Sequence, residues 1–136
     1  MGRARKQRHE SDGLVRPDVR VRLRAGEAFY GPGVQELLKG IDETGSLQEA
    51  CLKMELSYSK GRKMIKRLEE QMGCAMTRRQ AGGAGGGGSV LTEQGKQLVE
   101  RYEQMTWEIR AFAETAYQKY MGQDFWKREE KKHETD

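Results

Sequence analysis

The sequence predicts a mainly α-helical fold with a small β-wing, namely a winged helix-turn-helix followed by a long C-terminal helix. Three observations predict it. Two short apolar-periodic segments, each opened by a capping serine, follow one another with a pause of only three or four residues, and the second is far more basic than the first. A glycine-rich run, Gly82 to Gly88, then separates two short extended segments. Finally, Leu98, Tyr102, Met105, Ile109, Phe112 and Ala116 recur at the alternating four- and three-residue spacing of a heptad seam.

The elements follow in order. Residues 1–17 read as a basic, disordered tail, either merely solubilising, the reading favoured for residues 1–15, or in contact with phosphate backbones, and residues 18–92 as the folded unit. Val19, Val21 and Leu23 alternate with Arg20, Arg22 and Arg24, the period-2 pattern of a half-buried strand with a basic open face. Gly31-Pro32-Gly33 breaks the chain, and Pro32 suits a first helical turn. Val34, Leu37, Leu38 and Ile41 then keep helical spacing up to Gly45, a residue that ends helices. Ser46 with Glu49 forms a capping box, so a second helix should run to about Met54 with Leu47, Ala50, Cys51 and Met54 inward. Ser57 can cap a third helix whose apolar face is Met64, Ile65, Leu68 and Met72 and whose other face is Lys60, Arg62, Lys63, Lys66 and Arg67.

Residues 75–91 read as a β-hairpin with Arg78 and Arg79 at its base. Thr92 starts a long fourth helix over 93–122, and residues 123–136 form a charged tail with Phe125 and Trp126 as its bulky apolar pair. The heptad seam can pack on the same chain or on a second copy, and the helix is longer than three short helices can cover. A homodimer is therefore the expectation.

Composition narrows the function classes. The 136 residues are 35% hydrophobic and 34% charged, with a net charge of +4. Residues 1–24 and residues 57–80 each carry a formal +5, leaving −6 elsewhere, which is the concentrated pattern expected for contact with phosphate backbones. No apolar run approaches the roughly 20 residues of a membrane span, and the basic N-terminus lacks the apolar stretch of a secretory signal, so a cytoplasmic location and no membrane partner are expected. Cys51 and Cys74 lack metal-site spacing and are expected to be reduced, buried thiols; no metal or cofactor is expected. His9 and His133 lie in the tails, leaving no catalytic constellation, so the chain is not expected to be an enzyme. The glycine run lacks the Gly-Lys-Ser/Thr ending of a nucleotide loop. Its glycines either allow flexible turns or, at Gly83 and Gly86, let backbone N–H groups approach phosphates.

Residues 32 to 103 resemble the N-terminal DNA-binding domain of the ModE (molybdate-dependent) family of regulators, itself similar to the winged helices of LysR-type regulators. The resemblance is carried by Thr44-Gly45-Ser46-Leu47-Gln48-Glu49-Ala50, by Leu56-Ser57-Tyr58, and most specifically by Gly82 to Gly88 running into Leu91-Thr92-Glu93-Gln94-Gly95. It implies a bacterial transcriptional regulator, a winged helix preceded by an N-terminal strand, and a two-fold dimer on operator DNA. Two departures stand out. The tryptophan that often follows the serine-tyrosine start is replaced here by Arg62, and the chain ends where the family's molybdate-binding domains would begin, so molybdate binding is not expected.

The expected partner is double-stranded DNA. Ser57, Tyr58, Ser59 and Lys60 open the third helix, spanning 57–72, and are the candidates for base contact in the major groove. Arg62 and Lys63 could reach bases or backbone, whereas Lys66, Arg67, Arg78 and Arg79 are assigned to phosphate, with salt bridges from Lys66 or Arg67 to Glu69 or Glu70 as the competing use. Ser46 and Gln48 are candidates for a phosphate at the second helix, Ser46 equally for a cap alone. Two other readings use the same residues: a protein-interaction module working through the fourth helix, and a small oxyanion-responsive sensor using the wing amides.

Overall fold

The computed structural model describes residues 14–81, 88–122 and 125. Within them the chain forms β1 (Leu23–Ala25), β2 (Glu27–Tyr30), α1 (Pro32–Thr44), α2 (Leu47–Lys53), α3 (Tyr58–Met72), β3 (Thr77–Gln80), β4 (Gly88–Leu91) and α4 (Glu93–Met121). β1 pairs antiparallel with β2, and β3 with β4, as two separate hairpins.

Local chemistry sets most of the boundaries. α1 starts with Pro32 behind Gly31 and ends at Gly45, which adopts the left-handed conformation (φ 72°) and donates its N–H to the Ile41 carbonyl. Ser46 caps α2 by accepting from Glu49 N, Ser57 caps α3 from Lys60 N, and Thr92 caps α4 from Gly95 N. Between α2 and α3 the turn is tight: Leu56 N donates to Cys51 O at 2.9 Å, and Glu55 takes a positive φ of 55°. Left-handed backbone is unusual for a residue with a β-carbon, and here four residues, 54–57, must turn one helix into the next.

The core lies where α1, α2 and α3 meet under β4 and the first turns of α4. Leu37, Leu38 and Ile41 of α1, Ala50, Cys51 and Met54 at α2, and Ile65 and Leu68 of α3 are buried, joined by Tyr30, Met76, Leu91 and Tyr102. Each large aliphatic side chain sealed this way contributes about 1.5–3 kcal/mol, which is what holds helices too short to persist alone. Tyr30 and Tyr102 meet edge to face with centroids 4.9 Å apart. Their hydroxyls are satisfied: Tyr30 donates to Gln35 Oε1, Gln35 Nε2 donates to Val99 O at 3.0 Å, and Tyr102 donates to Val21 O at 2.6 Å. This chain of bonds fastens the N-terminal segment and α4 to the same helix.

Several expectations need correction. The single strand expected over Val19–Leu23 begins at Leu23 and is half of a hairpin whose second strand, Glu27–Tyr30, the sequence pattern does not reveal. The alternation still describes exposure, since Val19, Val21 and Leu23 are half-buried and Arg20, Arg22 and Arg24 are exposed. Met72, expected inward, is exposed, because α3 outruns the body that covers its apolar face. Cys74, expected buried, is exposed beyond the end of α3, while Cys51 is buried and burial raises its thiol pKa. Both thiols are free. Among the described residues no helix is long and apolar enough to cross a membrane, and no group of His, Cys, Asp and Glu side chains could hold a metal.

Candidate nucleic-acid interface

α3 is amphipathic. Gly61, Ile65 and Leu68 are buried, and Ser59, Lys60, Arg62, Lys63 and Lys66 are exposed. Gly61 is the residue that lets α3 approach the body so closely. A β-carbon there would come within 3.0 Å of Cys51 Sγ, and 3.7 Å from Leu47 Cδ1. An isolated glycine inside a helix costs about 1 kcal/mol relative to alanine. At this crossing it is required by packing, a role that only the contact between α2 and α3 reveals.

The wing is bound to this unit through hydrogen bonds that end on its backbone. In β3 and β4, Arg78 pairs with Val90 and Arg79 with Ser89. Ser89 N donates to Gly45 O at 2.9 Å, so the wing rests on the corner between α1 and α2, and a β-carbon on Gly88 would strike that same carbonyl. Glu69 in α3 turns back to accept from Met76 N at 2.9 Å and Thr77 N at 3.2 Å. Thr92 donates to Ala75 O at 2.8 Å while capping α4, and Gly95 packs so tightly on Met76 O that no β-carbon fits. The leucine-threonine-x-x-glycine run is thus a clamp between wing and long helix.

The residues singled out from the sequence divide accordingly. Ser46, Gln48, Tyr58 and Arg79, with Gly88 and Ser89, line one hollow of about 330 Å³ where α2, the start of α3 and the wing converge. Ser46 and Ser57 are both engaged as helix caps through their Oγ atoms. Gln48, Tyr58, Ser59, Lys60, Arg62, Lys63, Lys66, Arg78 and Arg79 are exposed. Arg67 differs from expectation. Its ion pair is made not with Glu69 or Glu70 but with Glu27 of the first hairpin. Gly83 and Gly86 lie outside the described residues.

The comparisons bear on this arrangement directly. Residues 35–96 match the model of the bacterial regulatory helix-turn-helix proteins of the LysR family. Those residues form a LysR-family helix-turn-helix domain. Its span runs from the first turn of α1 to the first turn of α4, so the clamp glycine Gly95 falls inside it. Over 75 residues the chain is 32% identical to the DNA-binding transcriptional dual regulator ModE of Escherichia coli K12, and equally to transcriptional regulators named ModE in Escherichia coli O157:H7 and Shigella flexneri. Each match covers 55% of this chain and 29% of the relative, so the alignment spans under a third of those proteins. Among solved structures, ArgP from Mycobacterium tuberculosis matches at 26% identity with a TM-score of 0.48, over 65% of this chain and 31% of that one. The matched family is one of bacterial regulatory helix-turn-helix proteins, and the first of these relatives is itself named a DNA-binding transcriptional regulator.

The seam on α4 splits in two. Leu98 is half-buried against the core and Tyr102 is buried against Tyr30, so these two residues serve their own chain. Beyond them Met105, Ile109 and Phe112 are exposed, Phe112 at 74%, and Ala116 is half-buried. Trp107 and Tyr120 are exposed as well.

Proposed function

We propose that this protein is a sequence-specific transcriptional regulator that binds operator DNA as a homodimer. α3 enters the major groove and the wing, residues 75–91, lies along the backbone or the adjacent minor groove. The observation that carries this reading is the outward face of α3. Five polar or cationic side chains, Ser59, Lys60, Arg62, Lys63 and Lys66, stand exposed on it while the opposite face is sealed in the core. A solvated helix has no reason to gather four cations with so few acids, whereas a helix between two rows of phosphates does.

In this arrangement Tyr58, Ser59 and Arg62 read base edges near the start of the helix. Lys60, Lys63, Lys66, Arg78 and Arg79 neutralise phosphates. Ser46 and Gln48 approach a phosphate from the hollow they share with Arg79. The second copy docks along Met105, Ile109, Phe112 and Ala116, the part of the heptad seam that the chain's own core leaves uncovered.

Fluorescence anisotropy with a duplex selected by the protein from a random library, against a scrambled duplex, tests the reading. A preference of at least about 10³ for the selected duplex, with log affinity falling linearly in log salt, is expected. Equal affinity for both duplexes refutes sequence-specific regulation. Sedimentation of the Phe112→Asp variant separates the dimer claim: it should run as a monomer where the parent runs as a dimer.

A further inference from the structure

The two hairpins stand on opposite flanks of α3. At about 3.6 residues per turn, Tyr58, Arg62 and Glu69 share one flank of the helix, and Arg67 and Gln71 share the other. The first flank belongs to the wing, through Glu69 with Met76 and Thr77 and through Tyr58 beside Arg79. The second belongs to the N-terminal hairpin, through Arg67 paired with Glu27 and through a hollow of about 580 Å³ that the hairpin tip, residues 25–27, shares with Lys63, Lys66 and Glu70. Lys63 and Lys66 lie on the outward face between the flanks and are exposed. Arg24 is exposed at the hairpin tip, where its guanidinium donates to Gly26 O at 3.0 Å and so stays close to the hollow.

We propose that the β1–β2 hairpin is a second wing, seating the DNA backbone strand on the side of α3 away from the glycine-rich wing. Arg24, Lys63 and Lys66 meet the phosphates there, and Arg67 positions the hairpin through Glu27 rather than binding DNA. This rests on the DNA-binding reading above. Charge supports it: the tip and the facing stretch of α3 hold four cations, Arg24, Lys63, Lys66 and Arg67, against Glu27 and Glu70, and Glu27 is already engaged by Arg67. A major-groove helix has phosphate rows on both sides. One wing serves one row, and this hairpin is the element of the fold placed to serve the other.

The test compares the full chain with its Arg24→Ala and Arg79→Ala variants on the selected duplex, by anisotropy across a salt series and by hydroxyl-radical footprinting. Losing one phosphate contact lowers the salt slope by about 0.9 and the affinity roughly eightfold at 0.1 M salt, equally on selected and scrambled duplexes. The Arg24→Ala variant should show both effects and lose protection on one side of the recognition-helix footprint, while Arg79→Ala loses it on the other. An Arg24→Ala variant with the parent's slope and footprint overturns the second wing and leaves the first reading intact. A parent protein that shows no salt-dependent binding to either duplex overturns both.

Discussion

Replacing Gly61 with alanine sets two effects of known size against each other. Helix propensity favours alanine by about 1 kcal/mol in a helix interior. Against it, the new methyl would overlap Cys51 Sγ and touch Leu47 Cδ1 at 3.7 Å and Leu37 Cδ2 at 3.9 Å. Cys51 has one rotatable bond and is only 1% exposed, so its sulfur has no open space to swing into. The helices must instead move apart, at a cost of about 1–3 kcal/mol for overpacking. The expected result is a net loss of about 1 kcal/mol, read as a lower urea midpoint with an unchanged slope by far-UV circular dichroism. A second substitution makes the reasoning strict. Cys51→Ala alone leaves a small void and destabilises, but combined with Gly61→Ala the new methyl occupies the space the sulfur vacated. The pair should therefore be coupled favourably by at least about 1 kcal/mol. A Gly61→Ala variant that is more stable than the parent, with additive effects in the double variant, would refute the close approach of α2 and α3.

Two further perturbations follow from the same structure. Gly95→Ala places a β-carbon against Met76 O, a backbone atom that no rotamer change can move, so it should cost about 2–3 kcal/mol and lower the melting temperature by several degrees; a melt unchanged from the parent would contradict the clamp. At high pH the buried tyrosines should make the fold labile. Desolvation, with the nearby Tyr102 adding to it, holds the Tyr30 phenol far above its usual range, and burial also raises Tyr102 despite the opposing effect of Arg110. A raised folded pKa means stability that is whole below the unfolded value near 10 and declines above it, by about 1.4 kcal/mol per pH unit for each tyrosine that stays protonated only when folded. Urea midpoints between pH 9 and 11 should show that decline, and Tyr30→Phe should flatten it; an equal slope in the variant argues against the buried hydroxyl.

The boundaries that could be read from the sequence were those set by neighbours along the chain. Ser46 with Glu49, Ser57 with Lys60 and Pro32 behind Gly31 each act within one turn of helix, and Gly45 ends α1 through a bond to Ile41 four residues earlier. Features that depend on distant partners were not legible. β2 has four residues, with Gly26 at φ 82° as its turn, and takes its identity from Tyr30 reaching Gln35 and Tyr102. Tyr102 fits a heptad seam, but spacing states only that a stripe is apolar, and the partner that claimed this residue is 72 positions upstream. Arg67 looked like its neighbours Lys63 and Lys66 because nothing local distinguishes a cation facing solvent from one facing Glu27. The candidates on α3 could be named because charge on one face of a helix is a local pattern, and the structure leaves them exposed. The holding contacts of Glu69, Gly61 and Gly95 were not legible because they are made with other elements of the fold.

That division of labour bears on how a basic surface could become a specific one. Cations attract any duplex, and moving one by an ångström changes little at the range of a screened charge. In the proposed complex, discrimination between bases needs Tyr58, Ser59 and Arg62 held in register with the backbone contacts, because a bidentate pair tolerates little misalignment. In this fold the holding is done by the Glu69 carboxylate on the Met76 and Thr77 amides and by uncharged contacts: Ser89 on Gly45, Thr92 on Ala75, and Gly61 against Cys51. They tie α1, α2, α3, the wing and α4 to one another at points of closest backbone approach, where a shift of register has no second comfortable position. Phosphate attraction then supplies affinity to a surface whose shape is set without it. For the same reason, substitutions at Gly61 or Gly95, both buried, should disturb base discrimination more than the loss of a lysine on the outward face of α3.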